Sequence, residues 1–168
     1  MIVLETERLT LRELTTNDAA FVLELLNAPS FLQNIGDRGV RTEDQARDYI
    51  VERVIGSYRA HGFGMWLVVE RDGGVPVALA GLVKRDGLDV PDVGYALVER
   101  AWGQGFAQEA AAAVLARAQT VLDIPTLAAI TSTDNHASMA VLRKIGFTYQ
   151  GLIRLPGHDE QSTYFTAP

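Results

Sequence analysis

The chain has 168 residues, 48% of them hydrophobic and 21% charged, with no cysteine and a formal net charge of −6. That size suits a single domain spanning 1–168 with its own core, and no apolar stretch approaches the about 20 residues that cross a bilayer. Without cysteine there are no disulfides, thiolate metal sites or cysteine nucleophiles. The acidic balance disfavours broad attraction to nucleic acid.

In chain order, "MIVLETERLTLREL" alternates apolar and polar residues and predicts one strand with an irregularity near Thr6. It lacks a basic leader, a continuous apolar core and a cleavage site, so a cytoplasmic location is expected. Asn17 or Asp18 is placed to cap a helix through Phe21, Leu23, Leu25 and Leu26. "PSFLQNIGDRGV" reads as a loop. A second helix starts at Thr42, with Gln45 three residues on, and runs to about Ala60; its Ala46, Ile50, Val54 and Tyr58 recur every four residues. "FGMWLVVER" and "VPVALAGLVKR" form a hairpin around "DGG", and "DVGYALVE" is a further strand. A helix then runs from about Phe106 to about Leu122, "TLAAITST" returns as a strand, and "NHASMAVLRKI" is a short helix closed by Gly146. "FTYQGLIRL" and "STYFTA" are the final strands, the last of them exposed at the sheet's side. The order β-α-α-β-β-β-α-β-α-β-β describes an α/β (α+β) domain on one mixed, largely antiparallel sheet of about seven strands. The basic pairs Lys84-Arg85 and Arg143-Lys144 read as solvated surface. His61, His136 and His158 show no metal-ligand spacing, and no metal is expected; His136 reads as an exposed first-turn residue.

One stretch carries chemistry. In "VERAWGQGFAQEA" a strand ends, Gly103 and Gly105 follow, and an alanine-rich helix begins with no Ser, Thr, Asp or Asn before it. The first helical N–H groups therefore lack a side-chain partner. Glycines that turn further N–H groups toward the same point make an anion site, and a phosphate suits it; water over a tight turn is the alternative. A P-loop fails, because Phe106 and Ala107 stand where Lys and Ser or Thr belong. A Rossmann fingerprint fails as well, with Gln108 at its third small residue.

The chain resembles the GNAT N-acetyltransferase superfamily, whose pyrophosphate loop reads Gln/Arg-x-x-Gly-x-Gly/Ala. "WGQGFA" matches at Gly105 and Ala107, with Trp102 in place of Gln or Arg. That departure is shared with the ribosomal-protein alanine N-acetyltransferase (RimJ/RimL-like) branch, to which "LETERLTLREL", "VGYALVERAWGQGFAQEA" and "NHASMAVLRKIGF" are also similar. The resemblance implies central strands that splay apart. It implies acetyl-CoA as donor, its pyrophosphate on Trp102, Gly103, Gln104, Gly105, Phe106 and Ala107, and its pantetheine arm beside the strand holding Tyr95. A backbone N–H near Leu97 or Val98 would face the oxyanion. Asn135 caps the last helix through the N–H of Ser138, and the resemblance brings both residues to the cofactor.

Many enzymes of this family carry a general-acid tyrosine seven residues after that asparagine; here the position is Leu142, and Ser138 is the substitute candidate. Weak acid–base assistance is easiest to reconcile with an α-amine, whose pKa is ~7.7–8.0 against ~10.4 for lysine. Candidate bases are Asp92 and then Asp37, each with a solvated turn carboxylate as the alternative. Phe31, Ile35, Asp37, Arg38 and Tyr95 are the candidate acceptor contacts, with core packing as the alternative for Phe31 and Ile35. The implied function is transfer of acetyl to a primary amine, on a protein N-terminus or a small molecule, by direct attack on the thioester. A CoA-binding regulatory module without turnover is the alternative. No nucleic acid or membrane is expected as partner, and a homodimer is allowed by the resemblance.

Overall fold

The first alternating segment forms two strands, β1 (Ile2–Glu5) and β2 (Leu9–Arg12), in the computed structural model, which describes residues 1–168. The irregularity near Thr6 is a full reversal: the Thr6 N–H donates to Leu9 O at 2.8 Å, and Glu5 pairs with Thr10. The sheet consequently has eight strands, one more than the sequence predicts, in the order β1-β2-β3-β4-β5-β6-β8-β7. Its other strands are β3 (Met65–Glu70), β4 (Pro76–Val83), β5 (Asp92–Leu97), β6 (Leu127–Ser132), β7 (Thr148–Ile153) and β8 (Ser162–Ala167).

Every neighbouring pair is antiparallel except β5 and β6. Those two run parallel and share one registered pair, Asp92 with Ala128, at their beginnings. Beyond it they part, which is the splay that the family resemblance implies. By contrast β4 and β5 stay in register from Val83 opposite Asp92 to Ala78 opposite Leu97.

The C-terminal strand is not the edge. β8 lies between β6 and β7, and it buries Thr163, Phe165 and Ala167 in strict alternation. β7 takes the edge instead, with a register shift between Tyr149 and Gly151 of the kind edge strands use to discourage further pairing.

Local chemistry also moves two helix boundaries. α1 (Ala19–Leu26) is entered through a short tight turn at Thr16–Asp18, so the cap falls on Thr15 rather than on Asn17 or Asp18. The Thr15 hydroxyl accepts from Asn17 N–H at 3.2 Å, and the Asp18 carboxylate accepts from Thr15 N–H at 2.8 Å. Part of the predicted loop is helical, α2 (Pro29–Asn34), because Pro29 occupies the first helical position, where its missing N–H costs nothing. The second predicted helix is confirmed from its Thr42 cap, as α3 (Glu43–Tyr49), a π-helical stretch Ile50–Ile55, and α4 (Gly56–His61). Four-residue steps drift about 40° each around an ordinary α-helix. The wider i→i+5 turn counteracts that drift, so Ala46, Ile50 and Val54 all reach the core.

α5 (Phe106–Thr120) crosses β4 and β5, burying Ala110, Ala111, Val114 and Ala118. Its small side chains allow a close approach to the sheet. α6 (His136–Lys144) packs on β6 and β7 through Met139 and Leu142. β4 is buried on both faces between its ends, which makes it the stiff centre against which β5 is held.

Candidate active site

The glycine loop has the conformation that its composition demands. Gly103 and Gly105 sit at φ 75° and 81°, values that residues with a Cβ rarely adopt. Gly105 directly precedes α5, and no side chain caps that helix. The first bond of α5 runs from Glu109 N–H to Gly105 O, so the N–H groups of Gly103, Gln104, Gly105, Phe106, Ala107 and Gln108 make no hydrogen bond within the chain. Such a run of donors at the positive end of a 15-residue helix is a ready anion cradle. Trp102 does not substitute for a basic side chain; it is half exposed, and its Nε1 donates to Leu97 O at 3.3 Å.

Beneath the loop lies a group that the sequence does not connect. Glu109 accepts from the Thr6 hydroxyl at 2.5 Å, from Arg8 N–H at 3.0 Å and from Arg8 Nε at 2.7 Å. Arg8 also donates from its guanidinium to Gln104 O at 2.8 Å. Burial pushes the Glu109 carboxyl up, but these bonds outweigh it and hold the group below its usual range. The only signal in the chain is that two family-like stretches, "LETERL" and "FAQEA", carry the partners a hundred residues apart.

At the end of β5, one of the two expected backbone donors is already engaged. Val98 N–H donates to Val77 O at 3.0 Å and so is turned to β4. Backbone direction alternates along an antiparallel strand. With Val98 turned to β4, the N–H groups of Leu97 and Tyr95 turn the other way, toward the widening gap with β6. Of the two expected donors, Leu97 N–H is the one turned to the gap, and Val98 N–H is corrected to a bond within the sheet.

The gap opens into a cleft of roughly 1160 Å³ whose lining includes Phe31, Ile35, Arg38, Asp92, Tyr95 and Ser138. Three of these come from α2 and the loop after it, two from β5, and one from α6. Phe31 is 7% exposed and belongs to the main core as well as to the cleft wall. Asp37 is not in the lining: it is exposed and held at 2.5 Å by Arg41, with a further bond from Gly39 N–H. Those two interactions pull its carboxyl below the usual range, and it stands outside the cleft lining.

Asp92 is the opposite case. It is 1% exposed, so the solvated-turn alternative fails, and both its oxygens face Arg85 Nε at 3.0 and 3.1 Å. Burial drives its carboxyl up to about 6, against the pull of Arg85. This pair corrects the surface reading for Arg85, which turns inward to the carboxylate, while Lys84 is exposed as expected and donates to Leu88 O. The arrangement places a carboxyl raised by burial on the wall of the cleft.

Across the cleft, Tyr95 and Ser138 join β5 to α6. Their hydroxyls are 2.8 Å apart, and the Tyr95 hydroxyl also lies 3.1 Å from Ser138 O as a donor. Burial pushes the phenol up to about 12, while the Ser138 bond works in the other direction. Asn135 is engaged as the helix cap, its Oδ1 accepting from Ser138 N–H at 3.2 Å. Leu142 is buried at 1% exposure and extends the apolar wall, and His136 is exposed as predicted.

A splayed parallel pair inside an antiparallel sheet, an uncapped helix behind paired glycines, and a cleft at the splay define an acyltransferase architecture. The chain belongs to the GNAT acetyltransferase family: the sequence model of the acetyltransferase (GNAT) domain matches residues 8–148. It is an N-acetyltransferase by family, and enzymes of this family use acetyl-CoA. The uncharacterised N-acetyltransferase YoaA of Bacillus subtilis is 26% identical over 168 residues, covering 98% of this chain and 93% of that protein. An acetyltransferase of Agrobacterium tumefaciens has the same fold, with a TM-score of 0.85, 24% identity and coverage of 100% of this chain and 95% of that one. The ribosomal L7/L12 α-N-protein acetyltransferase RimL, solved with coenzyme A, superposes with a TM-score of 0.83, 20% identity and coverage of 99% and 97%. At that identity the likeness is one of fold.

Proposed function

We propose that this protein transfers acetyl from acetyl-CoA to a primary amine, with a protein N-terminal α-amine as the favoured acceptor and a small-molecule amine as the other. The single observation that carries the reading is the unpaired N–H run from Gly103 to Gln108 at the start of α5. It fits a pyrophosphate, since it offers converging donors and a positive helix end with no side chain in the way. Trp102 supports the loop from outside by its bond to Leu97 O.

Acetyl-CoA supplies an acetyl group already activated as a thioester. The chain's own residues do the rest. Leu97 N–H, turned into the gap, is the backbone donor toward the acetyl oxygen. Asp92 accepts the proton of the incoming amine, directly or through water, because burial raises its carboxyl toward the operating pH. Arg85 holds that carboxylate in place. Ser138 Oγ, partnered by the Tyr95 hydroxyl, donates a hydrogen bond or a proton on the sulfur side, the task that Leu142 cannot perform. Asn135 fixes Ser138 by capping its helix. Phe31, Ile35 and Arg38 form the wall met by the acceptor.

The α-amine preference has two supports. RimL, a similar structure, is described as an α-N-protein acetyltransferase. A carboxyl near 6 suits an amine of pKa ~7.7–8.0 better than a lysine at ~10.4, of which only a trace is unprotonated at neutral pH. A cytoplasmic location goes with such an acceptor, and no helix is long and apolar enough to cross a membrane.

The test is thiol release from acetyl-CoA across a panel of N-terminal peptides, polyamines and aminoglycosides. Release with peptides bearing a free α-amine, lost when that amine is blocked, is the expected result. Release only with polyamines or aminoglycosides overturns the α-amine assignment. CoA binding without release on any acceptor selects the regulatory module.

A further inference from the structure

We propose that Arg8, together with Thr6 and Glu109, is the clasp that positions the pyrophosphate loop, with Arg8 acting through the loop backbone rather than touching the chemistry. This rests on reading residues 103–108 as the phosphate site.

The first argument is directional. In a trans peptide the carbonyl and the following N–H point in opposite directions. Arg8 draws Gln104 O toward itself at 2.8 Å. Gly105 N–H is thereby aimed away from Arg8, toward the open side of the loop. A loop with φ of 75° and 81° at its two glycines has wide conformational freedom, and this single anchor selects one orientation of its central peptide.

The second argument is electrostatic. Glu109 stands in the first turn of α5, where a free carboxylate would repel an arriving phosphate at close range. It is not free: Thr6 and the backbone of Arg8 occupy one oxygen, and Arg8 Nε occupies the other. The segment Trp-Gly-Gln-Gly-Phe-Ala contains no cation of its own, so the neutralisation of Glu109 falls to Arg8. Its guanidinium lies 4.6 Å from the Phe106 ring centroid, a cation–π contact that keeps the fork in place.

A purely stabilising account is weak. The Arg8 and Glu109 side chains are 44% and 19% exposed, and ion pairs this accessible contribute little to folding. What the clasp does uniquely is join β2's entry turn to the loop. Arg8→Met, which keeps an unbranched chain of similar length and removes the charge and the donors, is the informative variant.

The experiment is equilibrium titration of CoA by calorimetry and of acetyl-pantetheine, which lacks the pyrophosphate, by ligand-observed NMR. For Arg8→Met the CoA Kd is expected to rise at least tenfold while acetyl-pantetheine binding stays within twofold of wild type. Adding Glu109→Gln to that variant should recover part of the loss by removing the uncompensated carboxylate. Arg8→Lys should fall between, since a point charge meets Glu109 without forking to Gln104, and it replaces Arg8→Met if that chain does not fold. A CoA Kd within twofold of wild type overturns the clasp, as does an equal loss on both ligands. Failure of the wild-type chain itself to bind CoA overturns the loop assignment, and the clasp with it.

Discussion

The two ends of β5 solve recognition differently. Past its C-terminal end the loop at 103–105 is exposed and presents backbone N–H groups. At its N-terminal end Asp92 is sealed in the fold and presents a side-chain charge tuned by burial. Backbone recognition suits a ligand portion that never changes, because it depends only on chain direction and glycine conformation. Side-chain recognition suits chemistry and selectivity, because pKa and shape follow from the particular neighbours. On this comparison a change at the loop should weaken donor binding while sparing the acceptor end, and a change at Asp92 should do the reverse.

The largest effect is expected at the side-chain end. Asp92→Asn should lower kcat/KM by ~10²–10⁴, the range for losing a general base, with CoA affinity kept by titration. The sign of the pH dependence follows from the raised carboxyl. Below about 6 it is protonated and cannot accept a proton, so wild-type activity should fall as pH drops through that value. The variant should lose that limb and retain only the limb set by the amine itself. An unchanged profile would reduce Asp92 to a structural partner of Arg85.

Next comes the backbone end. Gly105→Val forces a β-branched residue to φ 81° and sets its Cβ 3.4 Å from Arg8 Nη2. CoA affinity should drop roughly a hundredfold in calorimetry, about 2.7 kcal/mol by the affinity relation, while the melting temperature moves by only a few degrees. Affinity within threefold of wild type would remove the loop from the cofactor site. A smaller change is expected between the ends: Ser138→Ala should reduce kcat about tenfold, with Tyr95→Phe having a similar or weaker effect, and neither altering CoA Kd beyond twofold. Equal losses in CoA affinity would make that hydroxyl pair part of donor binding instead. Smallest of all, Asp37→Asn should leave kcat/KM within twofold, since its carboxylate is occupied by Arg41 outside the cleft.

Legibility followed the same division. Gly103, Gly105 and the missing cap before Phe106 declare themselves locally, because left-handed φ and unpaired helix donors are consequences of neighbouring residues. Thr42 and Asn135 were readable as caps for that reason, and so were the strands from β3 onward. The first segment was harder: the alternation that marks a strand says nothing about a reversal between two short ones, and only pairing of Glu5 with Thr10 reveals it. Likewise Val98 and Leu97 look equivalent until the register with β4 assigns one N–H to Val77 and leaves the other turned to the gap.

Propensity, spacing and conformations that a few adjacent residues dictate were enough for the strands from β3 onward, the Thr42 and Asn135 caps, the glycine loop and the family, but not for the reversal at Thr6 or for α2. Tertiary structure alone decided that Asp92 is buried while Asp37 is not, that Tyr95 meets Ser138, and that Arg8 reaches Glu109 and Gln104. Burial, pKa and long-range pairing depend on which surfaces exclude water together. Here Arg8 and Glu109 stand 101 positions apart in the chain, where no local pattern could couple them.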